Sequence, residues 1–478
     1  MTSLPPLPPV PLTGAAYEAG RLARAAMRKQ WTTPRRLFAF RTATWVLAAL
    51  LLLVGETTLN RGRVALRTIA KDTAPSIVAA ADIGTALADI DANVANGILG
   101  NAAHRAAAES TIERERLRVS EGILRAAENV TAGDAEKVPI RAMNLDLGRY
   151  LERQAEARLF HDTGDEGTAR DRYWTATALL HDNLLAFADQ LDNAKKTQMD
   201  AAYGAQHVAN EGSEILASVV GGLLCLTLLW AQWFLVRRMR RMLNVPLLLA
   251  TLAALGLTLH LARCFSDTRE DLRVAKVDAF DSIYSLVRAR TIAHDAKGDA
   301  SRFLLDASPR RGLEREWNRK VALLTATPDM FPNAKTELAQ ANPKAKNHVH
   351  TNTKGILWDE VRNITFDREY EAAVAMMNAF ADYYAIDKRV RGLSKDGKLG
   401  QALEIGIGTE SNEANAAFDR FDQALDKTRA INQAAFDDAT GRAEAELKRA
   451  ELVDPGMAIL IAVLAWLGIR PRLREYQA

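Results

Sequence analysis

The sequence predicts an all-α membrane protein, with four transmembrane helices and two extracytoplasmic antiparallel helical bundles arranged as a tandem repeat. Three observations predict it. Four long apolar runs lie near residues 42–55, 215–236, 245–261 and 457–469, each at or near the roughly 17–25 residues that carry a helix across a bilayer. Large polar segments separate the first run from the second and the third from the fourth, while a short arginine-rich stretch alone separates the second from the third. No run of alternating apolar and polar residues suggests a sheet. The expected boundaries are a basic, Pro-rich cytoplasmic leader at 1–37, spans at 38–56, 214–236, 243–263 and 453–470, outer bundles at 57–213 and 264–452, a cytoplasmic turn at 237–242 and a cytoplasmic tail at 471–478.

Basic residues orient the spans. Arg21, Arg24, Arg28, Lys29, Arg35, Arg36 and Arg41 precede the first run with no acidic residue among them. The tight turn carries Arg237, Arg238, Arg240 and Arg241, and the tail carries Arg470, Arg472 and Arg474. Lys and Arg collect in short cytoplasmic loops. Four passes put all three basic segments on one face, so both termini are expected in the cytoplasm of a multi-pass plasma-membrane protein. The first run needs Phe38 to Phe40 for full length, with Arg41 snorkelling. Its leader is too long, and Gly55-Glu56-Thr57 too poor a cleavage site, for a signal peptide. The fourth run is expected to begin after Pro455, a residue tolerated in a first helical turn.

The 62 basic and 59 acidic residues nearly cancel. The membrane explains the basic clusters, so no nucleic-acid partner is expected. Cys225 lies inside the second run and Cys264 beyond the outer end of the third, at depths that disfavour a disulfide between them. The stretch Pro5-Pro6-Leu7-Pro8-Pro9-Val10-Pro11 reads as a solvated polyproline II leader, with a cytoplasmic docking site as the alternative.

The first outer segment reads as four helices. One runs from the membrane to about His104, kinked near Pro75. A second opens at Ser110-Thr111-Ile112-Glu113, which has capping-box spacing. Breaks at Thr131-Ala132-Gly133-Asp134 and at His161-Asp162-Thr163-Gly164-Asp165 bound the third. The fourth carries Leu180, Leu184, Phe187 and Leu191 in a coiled-coil stripe. An even number of antiparallel helices returns both ends to one side, as two membrane connections demand. In the second segment a helix is expected over 268–305, with Ser308-Pro309 opening the next. A Pro- and Asn-rich crossover follows over 325–355, then helices over 366–393 and 412–452, the last burying Phe418, Phe421, Leu425 and Phe436. Ser76-Ile77, Asp89 and Leu99 match Ser282-Ile283, Asp295 and Leu305 without a gap. Phe187, Leu191 and Asp192 match Phe421, Leu425 and Asp426 at a larger offset, the excess being about the length of the crossover. The halves therefore read as a parallel repeat.

No catalytic residue, cofactor site or metal site is expected. The chain has no Walker loop, dinucleotide turn or zinc-type spacing. His348-Val349-His350 lacks a third ligand, and His260 reads as an interfacial histidine. Asp89, Asp91, Asp295 and Asp299 read as solvated faces or helix–helix salt bridges. Mid-membrane positions without ionisable residues disfavour transport. An outer bundle continuous with membrane helices can pass small piston or rotational shifts inward. The inner segments are too short to be an enzyme, so output needs a separate cytoplasmic protein. The turn arginines Arg237, Arg238, Arg240 and Arg241 are the candidates for cytoplasmic coupling or lipid contact.

Leu87-Ala88-Asp89-Ile90-Asp91-Ala92, Tyr173-Trp174-Thr175-Ala176-Thr177-Ala178-Leu179-Leu180, Phe418-Asp419-Arg420-Phe421-Asp422-Gln423-Ala424-Leu425-Asp426 and Thr33-Pro34-Arg35-Arg36-Leu37 carry a likeness. With them the chain resembles the GlnX-type four-pass membrane signalling proteins of actinobacteria. The resemblance implies a non-enzymatic adaptor. It would relay extracellular aspartate or glutamate status from a solute-binding lipoprotein to a cytoplasmic Ser/Thr kinase of the protein kinase G type. Two alternatives stand beside it: a chemoreceptor-like sensor that binds a small ligand in its outer bundles, and a structural membrane scaffold. The architecture also admits a homodimer.

Overall fold

The computed structural model describes residues 33–131, 133–239, 244–305, 310–325 and 354–474. Among these the protein is all helical. Helix α1 (Thr33–Arg67) passes through a π-helical turn (Thr68–Thr73) into α2 (Ala74–Leu99). Helices α3 (Ala102–Glu128), α4 (Asp134–Asp162) and α5 (Glu166–Leu179) follow, and a second π turn (Leu180–Leu184) leads into α6 (Leu185–Met239). Helix α7 (Val245–Arg273) runs through a third π turn (Val274–Phe280) into α8 (Asp281–Leu305). The remainder comprises α9 (Arg310–Leu324), α10 (Ile356–Arg362), α11 (Glu369–Lys395), α12 (Leu399–Ile407) and α13 (Ala414–Arg474). The chain divides into two compact units. A span unit takes residues 1–61, 208–267 and 446–478, and a helical domain takes 62–207 and 268–445.

Among the described residues, four helices are long and apolar enough to cross a membrane, which supports a multi-pass membrane protein. In the span unit, Leu51, Leu224, Leu257 and Ile461 are buried against neighbouring helices, while Leu53, Leu226, Leu252 and Ile459 point outward, as lipid-facing residues must. Small residues set the closest approaches, as in membrane bundles generally. Gly55 faces Leu261, and Gly221 lies so close to Thr258 that a Cβ would collide with its side chain. Trp45 Nε1 donates to Ala462 O at 3.1 Å, and Asn244 Nδ2 to Gly468 O at 2.8 Å. Gly221→Leu is expected to destabilise this packing by about 1–3 kcal/mol. The neighbouring Gly222 has open space around it, and Gly222→Leu should cost nothing comparable. Reversible unfolding in mixed micelles measures the difference.

Helix α13 runs on through Pro455 and Pro471. The fourth span thus continues an existing helix, where the sequence suggested a new start after Pro455. His260 Nε2 stands 3.5 Å from Asp454 Oδ1 near the ends of their apolar runs.

The two polar segments expected as two bundles lie together in the helical domain, joined along α2 and α8. Gly84 lets them approach: a Cβ there would press on Thr291. The Oγ1 atoms of Thr85 and Thr291 stand 2.8 Å apart, at a sequence separation of 206. Thr85 Oγ1 also reaches Ala81 O, and Thr291 Oγ1 reaches Val287 O, each one turn back. The π turns before α2 and α8 begin at that same separation. Contacts advance together along both helices, from Ala81–Thr291 to Asp91–Arg302, so the helices run parallel. Apolar cores lie on either side. Ile90, Val119, Met143, Tyr150 and Leu180 belong to one, and Leu286, Trp358, Phe380, Phe418 and Phe421 to the other.

The second helix of the first segment starts earlier than its capping-box signal. Helix α2 ends at Leu99, and Asn101 Oδ1 caps α3 by accepting from Ala103 N and His104 N at 3.0 and 3.1 Å. Ser110 and Thr111 are interior. The Asn side chain supplies the acceptor that opens a helix, so the later signal is not needed. The expected breaks beyond it occur, at Gly133 (φ +63°) and Gly164 (φ +83°), conformations that favour glycine. Pro75 lies directly after the π turn at the start of α2, and it has no N–H to donate to the preceding turn. The crossover between α9 and α10, Ser308-Pro309, His348 and His350 lie outside the described residues, as do the leader's Pro5 to Pro11.

Candidate functional site

The seam between α2 and α8 is charged, and its Asp91–Arg302 centre is closed off from water. Asp91 is fully buried. Its carboxylate accepts from Tyr150 Oη at 3.4 Å, Tyr173 Oη at 3.1 Å and Thr177 Oγ1 at 3.0 Å, and it pairs with Arg302. Arg302, also buried, donates from Nη2 to Asp299 Oδ1 at 2.6 Å. Lys320 from α9 reaches Asp295 and Asp299 at 2.7 and 2.6 Å. The first half thus contributes the acceptor Asp91 and its hydroxyl donors, and the second half the cations. Burial pushes the Tyr173 hydroxyl well above its ordinary pKa, and the Asp91 charge adds to the effect. It stays a neutral donor. Of the two readings of these aspartates, solvated faces or helix–helix salt bridges, the structure has the second: Asp89 pairs with Lys297, Asp91 with Arg302, and Asp295 and Asp299 with Lys320.

Two histidines carry the network outward. His181, in the second π turn, places Nδ1 2.9 Å from Thr177 O and Nε2 2.8 Å from Asp295 Oδ1. His294 places Nδ1 3.2 Å from Asp89 Oδ1 and Nε2 3.1 Å from Asp422 Oδ1. Every one of these partners is an acceptor, so both rings are satisfied only when doubly protonated. Burial opposes the charge on His294, but the hydrogen bonds to Asp422 and Asp89 outweigh it and hold its pKa above the ordinary value. For Asp422, burial opposes ionisation, but His294 and Arg290 hold the carboxyl below its usual range. Arg290 completes the group with two hydrogen bonds to Asp422, at 2.7 and 2.6 Å. Lys297, 3.4 Å from Asp89, lies over the Phe418 ring.

This arrangement fixes a pH dependence. A histidine held above its unfolded value of about 6.5 contributes stability that is complete below that pH. The contribution disappears as pH rises through the folded pKa. Asp89 and Asp422, held low, contribute above about pH 4 and lose the contribution as pH falls. His294→Gln should flatten the fall in stability on the alkaline side of pH 6.5, read as denaturant midpoints across pH 5.5–8.5. A slope equal to wild type would count against a charged His294.

Asp89, His294, Lys297 and Asp422 also border an open cleft of about 980 Å³ within the helical domain. Helices α2 and α8 contribute its base, and α3 and α13 contribute its walls. The α3 wall carries Arg114, Arg118 and Arg125, whose side chains are more than half exposed. The α13 wall carries Asp419, Asp422, Asp426 and Asp437. Asn96 lines the cleft as well; it is buried and its Oδ1 has no hydrogen-bond partner. Among the described residues, no group of three His, Cys, Asp or Glu side chains is placed to hold a metal ion.

Of the turn arginines, Arg237 lies over the Trp233 ring at 5.2 Å. The side chain of Arg238 and the whole of Arg240 and Arg241 lie outside the described residues. At the end of α13, Arg470 lies over Trp466 at 4.3 Å. Cation–aromatic pairs of this kind mark membrane interfaces. The cysteines Cys225 and Cys264 form no disulfide. Sequence reasoning named Asp89, Asp91, Asp295 and Asp299 but missed their partners. The readable signal was Asp295, Lys297, Asp299 and Arg302 on a helix matching α2 in register.

Residues 65–204 match the family model of an actinobacterial sensor domain. The match spans α2 to α5 and the start of α6, and includes Asp89, Asp91, Tyr173 and His181. It places a sensor-type domain over part of the chain and fits a signalling role in general. No curated protein and no solved structure matches the chain.

Proposed function

We propose that this chain is a transmembrane sensor whose helical domain lies outside the cell and takes a small charged solute into the cleft between α3 and α13. The cleft itself carries this reading: it is open, lined by charged side chains, and formed by helices of both halves. Helix α13 carries Asp419 and Asp422 and continues through Arg474 as one helix. A shift of the α13 wall on ligand binding therefore has a covalent route to an apolar span. In this reading both termini and the arginine turn lie in the cytoplasm, and the chain acts as an adaptor. Its output passes to a separate protein, for which the GlnX-type resemblance suggests a cytoplasmic Ser/Thr kinase of the protein kinase G type.

A second input reading keeps the same output. In it a solute-binding lipoprotein carrying aspartate or glutamate docks on the helical domain, as the resemblance implies. The likeness of the two halves in sequence and in the spacing of their π turns supports a duplicated unit under either reading. Reconstituting the full chain with the kinase separates the two. Ligand-dependent phosphorylation without any lipoprotein supports direct sensing. A response that requires the lipoprotein supports the relay. No response to solute in either format, together with unchanged cross-linking between the spans, would leave a structural scaffold.

A further inference from the structure

The cleft's two walls carry opposite charge and do not close on each other. On α3, Arg114 and Arg118 both turn to Glu115 of their own helix, at 3.2 and 3.1 Å, and Arg125 turns to Glu121 at 3.1 Å. Their outer faces remain more than half exposed. On α13, Asp422 and Asp426 have arginine partners. Among the described residues, neither Asp419 nor Asp82 on the α2 base has a hydrogen-bond or salt-bridge partner. Both carboxylates are exposed to the cleft, and burial raises both above the ordinary carboxylate pKa. Asn96, more than nine-tenths buried, lines the same space, and its Oδ1 has no hydrogen-bond partner.

A monovalent anion would satisfy the arginine wall and leave Asp419 and Asn96 as acceptors without donors. A simple cation would do the reverse and face guanidinium groups across the cleft. Either leaves the charge of one wall without a counterpart on the ligand. A molecule with one group of each sign meets both walls.

We propose that the cleft binds a dipolar organic solute, with its anionic group on the Arg118 and Arg114 side and its ammonium group on the Asp419 side. This rests on the reading of the cleft as the input site and adds the chemical class of what enters it. Asn96 Oδ1 supplies a further acceptor for the ammonium group or for a polar substituent beside it. The α3 and α13 walls belong to different halves of the chain, so the ligand draws them together. An ion of one sign would hold only one of them.

The test uses the full chain in lipid nanodiscs and three matched probe series of three to six carbons: ω-amino carboxylates, α,ω-diamines and α,ω-dicarboxylates. Calorimetry should show binding by at least one ω-amino carboxylate, and weaker or no binding by the diamine and dicarboxylate of the same length. Asp419→Asn and Arg118→Gln should each weaken that binding on the order of tenfold or more, the scale of a charge-assisted hydrogen bond. Both side chains are exposed to the cleft, so folding should survive; thermal unfolding verifies it. Preferential binding of a diamine or dicarboxylate overturns the dipolar assignment and leaves the cleft as an input site. Binding of an ω-amino carboxylate that neither variant affects also overturns it. Binding of none of the three series overturns the cleft as an input site altogether.

Discussion

Arg302→Met is expected to lower the stability of the helical domain by about 3–5 kcal/mol, the cost of breaking a buried ion pair from one side. Arg302 is the only guanidinium described against Asp91, and its side chain is 2% exposed. Methionine matches much of the volume and removes the charge. Asp91 would keep the hydroxyls of Tyr150, Tyr173 and Thr177, which soften the loss without neutralising it. Asp299 would keep Lys320. The compensating variant is Arg302→Met with Asp91→Asn. It should recover most of the loss, because a neutral amide no longer needs the cation. Denaturant unfolding followed by tryptophan fluorescence distinguishes the outcomes. A loss under about 1 kcal/mol in the single variant would show that the Asp91–Arg302 pair does not hold the halves together.

Glu360→Gln is expected to act in the opposite direction at high pH. Glu360 and Glu369 are both buried, 2% and 0% exposed, and Asn432 Nδ2 donates to both, at 3.2 and 2.7 Å. Glu369 Oε2 accepts from the backbone N–H of Thr365 and Phe366, so Glu369 is the member fitted to carry the charge. Burial first, and the Glu369 charge second, push Glu360 up to about 8, against hydrogen bonds from Ser282 and Asn432. Between its unfolded value near 4.5 and about 8, the folded protein holds a proton that the unfolded chain releases. Stability therefore falls with rising pH, by up to ~1.4 kcal/mol per pH unit in that window. Glutamine resembles the protonated acid. The variant should match wild type near pH 5 and exceed it near pH 8.5. Parallel stability–pH curves would show that Glu360 ionises without cost and that the pair holds no shared proton.

The fold was largely legible because its strongest signals are local. Apolar length marked the four spans, and Gly133 and Gly164 marked turns that only a left-handed backbone closes. Phe418, Phe421, Leu425 and Phe436 repeat at helical spacing and are buried as expected. Local signals failed where a distant partner decides. Nothing within 87–92 says that Asp91 will meet Arg302, 211 residues away, and a buried aspartate on an Ala-rich helix reads like a surface one until its partner is found. The short helices α10 and α12 escaped for a related reason, since their packing against the long helices determines them. Helix α3 was misplaced because Ser110-Thr111-Ile112-Glu113 has the letters of a cap, while the break itself is made by Gly100 and Asn101.

The duplicated register of α2 and α8 places Asp89 and Asp295 at equivalent positions, yet their surroundings differ. Asp89 lines the open cleft, whereas Asp295 pairs with His181, Lys320 and Arg302 and is not among the cleft-lining residues. Receptors assembled from two identical chains carry two equal sites and can respond to dose cooperatively or with half-of-sites behaviour. Here one chain supplies both halves and leaves one of the two positions open. Each molecule should therefore count a single ligand, with a graded, hyperbolic dose response and a Hill coefficient of about 1 unless separate chains couple.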